Sequence, residues 1–158
     1  MINDALERLA IDINKRFVDK DPILLCVLDG AFMFFSDLVR RLTIKHQVDF
    51  VKVSSYGYGM TPSSINWLLQ PSIDVKDRTI IVVDDILDTG RTAKFIESKL
   101  MLNNAKQVWT CVLLSKIANR EKRVFAPLVG ISIGDHFVYG YGLDLEGRER
   151  HLTSIYAM

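Results

Sequence analysis

An acidic pair and the polar turn that follows it form the stretch of this sequence best suited to chemistry. The stretch reads Val-Val-Asp-Asp-Ile-Leu-Asp-Thr-Gly-Arg-Thr over residues 82–92. A β-branched apolar run precedes it at residues 79–83, and a helical pattern follows it at residues 93–102. Backbone amides in such a turn and the N-terminus of the helix attract an anion, while Asp84 and Asp85 can accept hydrogen bonds from vicinal hydroxyls. The arrangement therefore suits a sugar that carries both a phosphate and free hydroxyls.

The alternative interpretation of this stretch is an ordinary strand-to-helix turn capped by aspartate and threonine. The hydroxyls of Thr89 and Thr92 nevertheless add donors, and Gly90 permits a close approach of backbone to phosphate. The stretch matches neither the Walker A pattern nor the G-x-G-x-x-G fingerprint, so neither of those nucleotide-binding motifs accounts for it.

Apolar periodicity predicts the elements that position the turn. Three helices are predicted: residues 3–18 with Asn3 as the cap, the segment that follows a turn at 29–31 and runs through Leu42, and residues 93–102. The predicted strands cover residues 23–28, 48–54, 79–83 and 107–114. A loop is predicted over residues 55–66.

Strands that alternate with helices predict an α/β fold with a mostly parallel sheet. Ligands of such sheets bind at the carboxyl ends of the strands. We therefore expect the loops after Leu28, Ser54, Val83 and Leu114 to surround one site.

Composition narrows the class of protein. The chain has 158 residues, of which 49% are hydrophobic and 25% charged, as in an ordinary globular domain. A net charge of +1 argues against binding to nucleic acid by bulk electrostatics. No apolar run approaches 18 residues and the N-terminus does not resemble a secretory signal, so we expect a cytoplasmic protein. Cys26 and Cys111 are expected to be buried free thiols, with a disulfide or metal site as the alternative.

The turn resembles the phosphoribosyl pyrophosphate signature of type I phosphoribosyltransferases. From Ile23 onward the chain is similar to hypoxanthine(-guanine) phosphoribosyltransferases, because its other motifs arrive in the same order. The resemblance implies a mostly parallel twisted sheet flanked by helices, with a small hood built from terminal segments. We expect one domain over residues 1–158, with a core over about 20–126 and a purine-binding hood over about 127–158.

The resemblance also implies roles for the residues of the turn. Asp88 is the expected catalytic residue, facing N7 of a purine as general acid/base; a helix cap is its alternative role. The expected magnesium ligands are Asp84, Asp85 and Asp144. The expected phosphoribosyl pyrophosphate-binding residues are Leu28, Asp29, Gly30, Asp84, Asp85, Asp88, Thr89, Gly90, Arg91, Thr92 and Arg150.

Residues 28–31, Leu-Asp-Gly-Ala, are similar to the loop that binds pyrophosphate through backbone amides. In the family the peptide bond between the first two residues is often cis, so we expect a cis bond between Leu28 and Asp29. Some relatives carry lysine at the second position. An aspartate there would repel pyrophosphate, so we expect the Asp29 side chain to point away, for example toward a subunit neighbour.

The expected purine-binding residues by resemblance are Ile86, Lys116, Phe137, Val138 and Asp144. In that assignment Lys116 contacts the exocyclic oxygen, Phe137 stacks on the base and the backbone of Val138 reads the edge of the base. Without the resemblance, Lys116 would be a solvated lysine and Phe137 a core residue.

Ser55 and Tyr56 begin a segment similar to the flexible loop that closes over the ligands and excludes water. A plain mobile loop is the alternative for this segment.

The predicted reaction transfers the 5-phosphoribosyl group of phosphoribosyl pyrophosphate to N9 of hypoxanthine or guanine, in purine salvage. It gives IMP or GMP and pyrophosphate, with Mg²⁺ as cofactor and adenine rejected. The alternatives are a non-catalytic regulator that senses phosphoribosyl pyrophosphate and a transferase for another base such as xanthine. We expect a homodimer or homotetramer that binds its small-molecule substrates, and neither nucleic acid nor a membrane.

Overall fold

A sheet with helices on both faces organises the chain. The structure, a computed structural model, describes residues 1–56, 64–117 and 128–158, without the side chains of Ser55 and Tyr56. Its helices are α1 (Ile2–Arg16), α2 (Phe32–Val39) and α3 (Arg91–Leu102), and its strands are β1 (Ile23–Leu28), β2 (Gln47–Tyr56), β3 (Ser64–Leu69), β4 (Thr79–Leu87), β5 (Gln107–Lys116), β6 (Leu128–Ile133), β7 (Val138–Tyr139) and β8 (Tyr156–Ala157).

The main sheet confirms the predicted α/β fold. Within the described residues it has the strand order β3-β2-β1-β4-β5-β6, and the pair β7-β8 forms a separate small hairpin. β1 pairs in parallel with both β2 and β4, and β5 does so with β4 and β6, while β3 runs antiparallel at one edge. These five parallel strands send their carboxyl ends to the same edge of the sheet, where a ligand is expected.

Both faces of the central strands are buried, which explains their continuous apolar runs. Alternate residues of β1, such as Leu24 and Cys26, pack with α1 and α2 on one face. Ile23, Leu25 and Val27 pack with α3 on the other face. Fully burying one such side chain contributes about 1.5–3 kcal/mol, so these two layers fix the position of β4 between β1 and β5.

Two predictions about the helices were wrong in detail. The cap of α1 is Met1, and the side chain of Asn3 instead accepts a hydrogen bond from Arg41 Nη2 at 2.7 Å. α2 ends at Val39 rather than Leu42, because the Leu42 amide turns back to the Val39 carbonyl in a tight turn at 3.2 Å.

Three strand boundaries also differ from the prediction. β3 begins inside the predicted loop over 55–66; the short strand packs Trp67 edge-on against Phe95 of α3, with ring centroids 5.4 Å apart. β4 runs on to Leu87, so the acidic pair lies within the strand rather than after it. Residues 128–133 were assigned to the hood, yet they form β6 and pair with β5 in the main sheet. Residues 57–63 and 118–127 lie outside the described residues.

Both cysteines are buried free thiols, as predicted. Burial, with the nearby charges of Asp84 and Asp85, raises the pKa of Cys26 to about 12. Burial raises the pKa of Cys111 as well. Neither thiol therefore has thiolate character at neutral pH. Among the described residues no helix has the length and apolar character needed to cross a bilayer.

Asp49 ties β2 to the turn that follows β3. Its carboxylate is buried and accepts hydrogen bonds from the amides of Phe50, Ser72 and Ile73 at 2.7–2.9 Å and from the Ser72 hydroxyl at 3.0 Å. Burial alone would raise the pKa of Asp49, but the hydrogen bonds outweigh it and hold the pKa below its usual value. The ionised carboxylate therefore stabilises the fold.

We predict that Asp49→Ala lowers the free energy of unfolding by about 2 kcal/mol at neutral pH, because four part-buried donors lose their acceptor. The folded-state pKa is depressed, so this contribution is present above about pH 4 and is lost as the pH falls through the folded value. Urea unfolding across pH should therefore show the gap to wild type narrowing in acid. The exposed Asp19→Ala is the control; an equal loss there would contradict a specific role for Asp49.

Candidate active site

A cavity of about 350 Å³ opens at the carboxyl ends of β1, β2, β4 and β5. The loop after Leu28 and the turn after β4 line it, as predicted, whereas β2 and β5 contribute one strand residue each, Val53 and Val112. The predicted residues that line it are Leu28, Gly30, Asp84, Asp85, Ile86, Asp88, Thr89, Gly90, Arg91, Thr92, Asp144 and Arg150. Most of the predicted donor-binding residues therefore share one cavity.

The turn after β4 presents backbone donors to this cavity. Gly90 is the N-cap of α3 and has a φ of 86°, a left-handed conformation that favours glycine. Gly90 has no side chain to cap the helix, and the Arg91 amide makes a long hydrogen bond of 3.4 Å to Thr89 Oγ1. The first amides of a helix have no partner within the helix, so the start of α3 offers them, with the positive end of its dipole, to an anion. The N-cap role falls to Gly90 and not to Asp88.

The acidic pair forms one wall of the cavity. The Asp84 carboxylate accepts a hydrogen bond from the Asp85 amide at 2.9 Å, and the Asp85 carboxylate accepts one from the Ile86 amide at 2.7 Å. Burial raises the pKa of Asp84, and the adjacent Asp85 carboxylate raises it further. Burial likewise raises the pKa of Asp85. Two adjacent, partly buried carboxylates are stabilised in their charged form by a hydroxyl group that donates a hydrogen bond or by a cation.

The loop between β1 and α2 lies directly against the acidic pair. The Leu28–Asp29 peptide bond is cis, as predicted. A Cβ atom on Gly30 would lie only 1.8 Å from Asp85 Oδ2, so a side chain at this position would displace the carboxylate. Glycine is therefore required for the loop and the acid to share the cavity.

Asp88 and Lys116 meet at the edge of the cavity. Lys116 is the last residue of β5, with 11% of its side chain exposed, and its ammonium donates to Asp88 Oδ2 at 3.3 Å. A hydrogen-bond donor and a carboxylate thus lie side by side. This geometry contradicts the interpretation of Lys116 as a solvated surface lysine.

The hood contributes Asp144 and Arg150. Arg150 donates to the Gly142 carbonyl at 2.7 Å and lies 3.4 Å from Asp144 Oδ1. Gly142 packs on the β1–α2 loop so closely that a Cβ atom would lie 2.3 Å from the Gly30 carbonyl oxygen. Tyr141 donates its hydroxyl to Asp37 of α2 at 2.5 Å, which fastens the hood to the core.

Four predicted residues whose side chains the structure describes do not line this cavity: Asp29, Lys116, Phe137 and Val138. Phe137 is 52% exposed and Val138 lies in β7, on a second, apolar cavity of about 480 Å³. The backbones of Ser55 and Tyr56 end β2, and the loop beyond them lies outside the described residues. The high exposure of Phe137 contradicts its alternative role as a core residue.

Asp29 also points away from the cavity, as expected, but it finds its partner within the same chain. Its carboxylate accepts from Lys52 Nζ of β2 at 2.8 and 3.0 Å. The expected subunit neighbour is therefore not needed to explain its orientation.

Sequence reasoning missed the apolar part of the cavity lining. These residues lie in the strands that end at the cavity or in the first turn of α3, and that position is the signal that could have identified them. They are Val27, Val53, Leu87, Ala93 and Val112.

The acids suit a hard cation, although they do not form a ready cage. Among the described residues no three His, Cys, Asp or Glu side chains are close enough to hold a metal together. Magnesium usually takes one or two carboxylates and completes its shell with water and substrate phosphates. Asp84 and Asp85, whose pKa values are raised by burial, fit this pattern because a cation would offset their charge.

Comparison with known proteins identifies the family of the chain. The sequence model of the phosphoribosyl transferase domain matches residues 1–146. The chain belongs to the phosphoribosyl transferase family. The match contains the acidic turn, the β1–α2 loop, Lys116 and Asp144, and it ends before Arg150.

Named relatives of this phosphoribosyl transferase agree with the family. The chain is 38% identical to the hypoxanthine phosphoribosyltransferase of Escherichia coli K12 over 98% of its length and 88% of that protein. The same identity and coverage hold for the hypoxanthine-guanine phosphoribosyltransferase of Aquifex aeolicus. A solved hypoxanthine phosphoribosyltransferase from Staphylococcus aureus superposes with a TM-score of 0.94 at 30% identity, covering 99% of this chain and 86% of that one.

We predict that Lys52 offsets the charge of Asp29 beside the bound donor. Lys52→Met should raise KM for the phosphoribosyl donor by about 2–5-fold at low salt, the effect of an exposed pair worth up to about 1 kcal/mol. Asp29→Asn combined with Lys52→Met should return KM toward wild type, because the unpaired carboxylate is then gone.

Steady-state kinetics at two salt concentrations measures both effects. Lys45→Met, at a lysine with 85% of its side chain exposed, is the control. An unchanged KM in Lys52→Met at low salt would show that the pair has no part in donor binding.

Proposed function

We propose that the enzyme transfers the 5-phosphoribosyl group from phosphoribosyl pyrophosphate to N9 of a 6-oxopurine, hypoxanthine or guanine, in purine salvage. The observation that carries the proposal is the pair formed by Lys116 Nζ and Asp88 Oδ2, 3.3 Å apart at the edge of the cavity. O6 and N7 lie next to each other on one edge of a 6-oxopurine. The ammonium can donate to O6 while the carboxylate exchanges a proton with N7.

Asp88 is the proposed catalytic residue. Forming the bond at N9 makes a proton on N7 more acidic, so a carboxylate at N7 can remove it as the glycosidic bond forms. The side chain of Asp88 is 44% exposed before a base covers it. Gly90, rather than Asp88, is the N-cap of α3, so a capping role does not account for Asp88.

The rest of the cavity suits the phosphoribosyl donor. In our assignment the turn from Asp88 to Thr92 holds the 5′-phosphate, and Asp84 and Asp85 hold the ribose hydroxyls. The backbone of Leu28, Asp29 and Gly30 binds pyrophosphate, together with Arg150. Catalysis beyond the proton transfer is then positioning and charge stabilisation.

Magnesium is the proposed cofactor. Asp84 and Asp85 would hold it at the donor and Asp144 would hold a second ion, and the charge of the metal would neutralise the leaving pyrophosphate. The residues of the chain supply the hard oxygen ligands that magnesium prefers.

The hood residues complete the proposal for the base. Phe137 would stack on the purine, and the Val138 backbone would form hydrogen bonds with the edge of the purine. Ile86 would contact the base as well. Ser55 and Tyr56 would lead into a loop that closes over the ligands. The relatives' names support an enzyme that acts on small molecules, and we propose that it assembles as a homodimer or homotetramer in the cytoplasm.

A regulator that only senses phosphoribosyl pyrophosphate is the second candidate, but it would need neither Asp88 nor Lys116 in contact. The close pairing of these two residues favours the enzyme. A preference for xanthine would instead require a partner for the 2-oxo group.

A panel of bases tests the proposal. With phosphoribosyl pyrophosphate and magnesium, hypoxanthine should be converted to its nucleotide, while kcat/KM for adenine should be lower by about 10⁴, because Lys116 would meet an amino donor instead of an acceptor. Lys116→Gln should reduce this ratio. Nucleotide formation is followed by absorbance or chromatography, with guanine and xanthine alongside and excess chelator as the magnesium control. Adenine turnover within about tenfold of hypoxanthine would show that the base site is assigned wrongly.

A second prediction separates Asp88 from its neighbours. Asp88→Asn should lower kcat by about 10²–10⁴, the usual contribution of a general acid/base, while the donor still binds with an affinity close to wild type. Stopped-flow or steady-state kinetics gives kcat, and calorimetry gives donor binding. Glu97→Gln, at an exposed position on α3, is the control. Near-normal turnover in Asp88→Asn would leave this residue a structural part of the turn.

A further inference from the structure

Lys116 has a second acidic neighbour that the proposed mechanism does not use. Asp135 lies in the turn between β6 and β7, and its Oδ1 is 3.5 Å from Lys116 Nζ. The same ammonium is 3.3 Å from Asp88 Oδ2. Only 11% of the Lys116 side chain is exposed, and its ammonium lies between the carboxylates of Asp88 and Asp135.

We propose that Asp135 is a positioning residue that determines specificity: it shares the Lys116 ammonium with Asp88 and aims it at the 6-oxygen of the base. The proposal rests on the proposed function of Lys116 and extends it. Asp135 itself does not contact the reacting atoms.

The number of donors on an ammonium supports this assignment. Lysine has three N–H donors and no acceptor. One donor is directed at Asp88 and one at Asp135, so the third remains for an acceptor on the base. With Asp88 as its only acidic partner, a flexible lysine would settle on that carboxylate and occupy the group that must exchange a proton with N7.

The sheet fixes Asp135 in this place. Lys116 pairs with Ile133 in the β5–β6 register, so Asp135 follows only two residues after the partner of Lys116. The His136 amide donates to the Gly134 carbonyl at 3.0 Å and closes the turn around Asp135. Phe137, proposed to stack on the base, comes two residues later. The turn thus links the lysine that reads the base to the ring that covers it.

The pair with Asp135 is partly solvated, because 55% of the Asp135 side chain is exposed. Its effect on the reaction should therefore be moderate rather than complete. Loss of the carboxylate should weaken the contact with O6 and engage Asp88 more strongly with Lys116, so both recognition of the base and proton transfer should suffer.

The test is a double-mutant cycle between Asp135→Asn and Lys116→Gln. Asp135→Asn should raise KM for hypoxanthine about three- to tenfold, with little change in KM for phosphoribosyl pyrophosphate, and should narrow the preference for hypoxanthine over adenine. In the Lys116→Gln background the same change should have almost no further effect, since Asp135 acts through the lysine.

Two further variants separate positioning from folding. Asp135→Glu keeps the carboxylate and should recover most of the base affinity, whereas a purely structural turn residue would not be rescued in this way. Glu97→Gln again serves as the exposed control, and thermal unfolding shows whether each variant is folded.

Three outcomes would overturn the inference. An unchanged KM for hypoxanthine in folded Asp135→Asn would do so, and so would an equal loss with and without Lys116. In either case the wild type would still convert hypoxanthine and the proposed function would stand. If the wild type transferred phosphoribose to no 6-oxopurine, both proposals would fall together.

Discussion

The parallel pairing of β1 with β4 is the constraint on which the rest of the site depends. Cys26 lies opposite Val83 in this register, so β1 ends level with the acidic pair of β4 and delivers the β1–α2 loop beside it. The apolar layers on both faces hold that register, because a slip by one residue would turn each strand's buried set to the wrong face. The close contact between Gly30 and the Asp85 carboxylate follows from this register.

The distribution of charge is the second constraint on the site. Asp84 and Asp85 concentrate negative charge where a polyanion is proposed to bind, and burial raises their pKa values. The chain places single cations around them, each already paired with an acid: Lys116 with Asp88 and Arg150 with Asp144. The proposed phosphate and base would therefore meet cations that an acid already orients.

The sequence was sufficient for features that are local. The acidic turn could be predicted because strand, turn and helix follow one another within about 25 residues, and each has its own pattern. β3 escaped prediction because a six-residue strand at an edge, next to polar loop residues, has too little alternation to be distinguished. The pairs Lys52–Asp29 and Lys116–Asp135 also escaped, because each joins residues that only strand order and register bring together.

The contacts of Gly30 have a mechanical consequence. Gly142 of the hood rests on the Gly30 carbonyl and Gly30 rests on the Asp85 carboxylate, with no room for one further carbon atom at either step. Between the two glycines backbone packs on backbone, which has no side-chain rotamer with which to absorb a displacement. A small shift of the hood is therefore passed to the β1–α2 loop, and the Asp85 carboxylate is the first group along this path that can turn to absorb it.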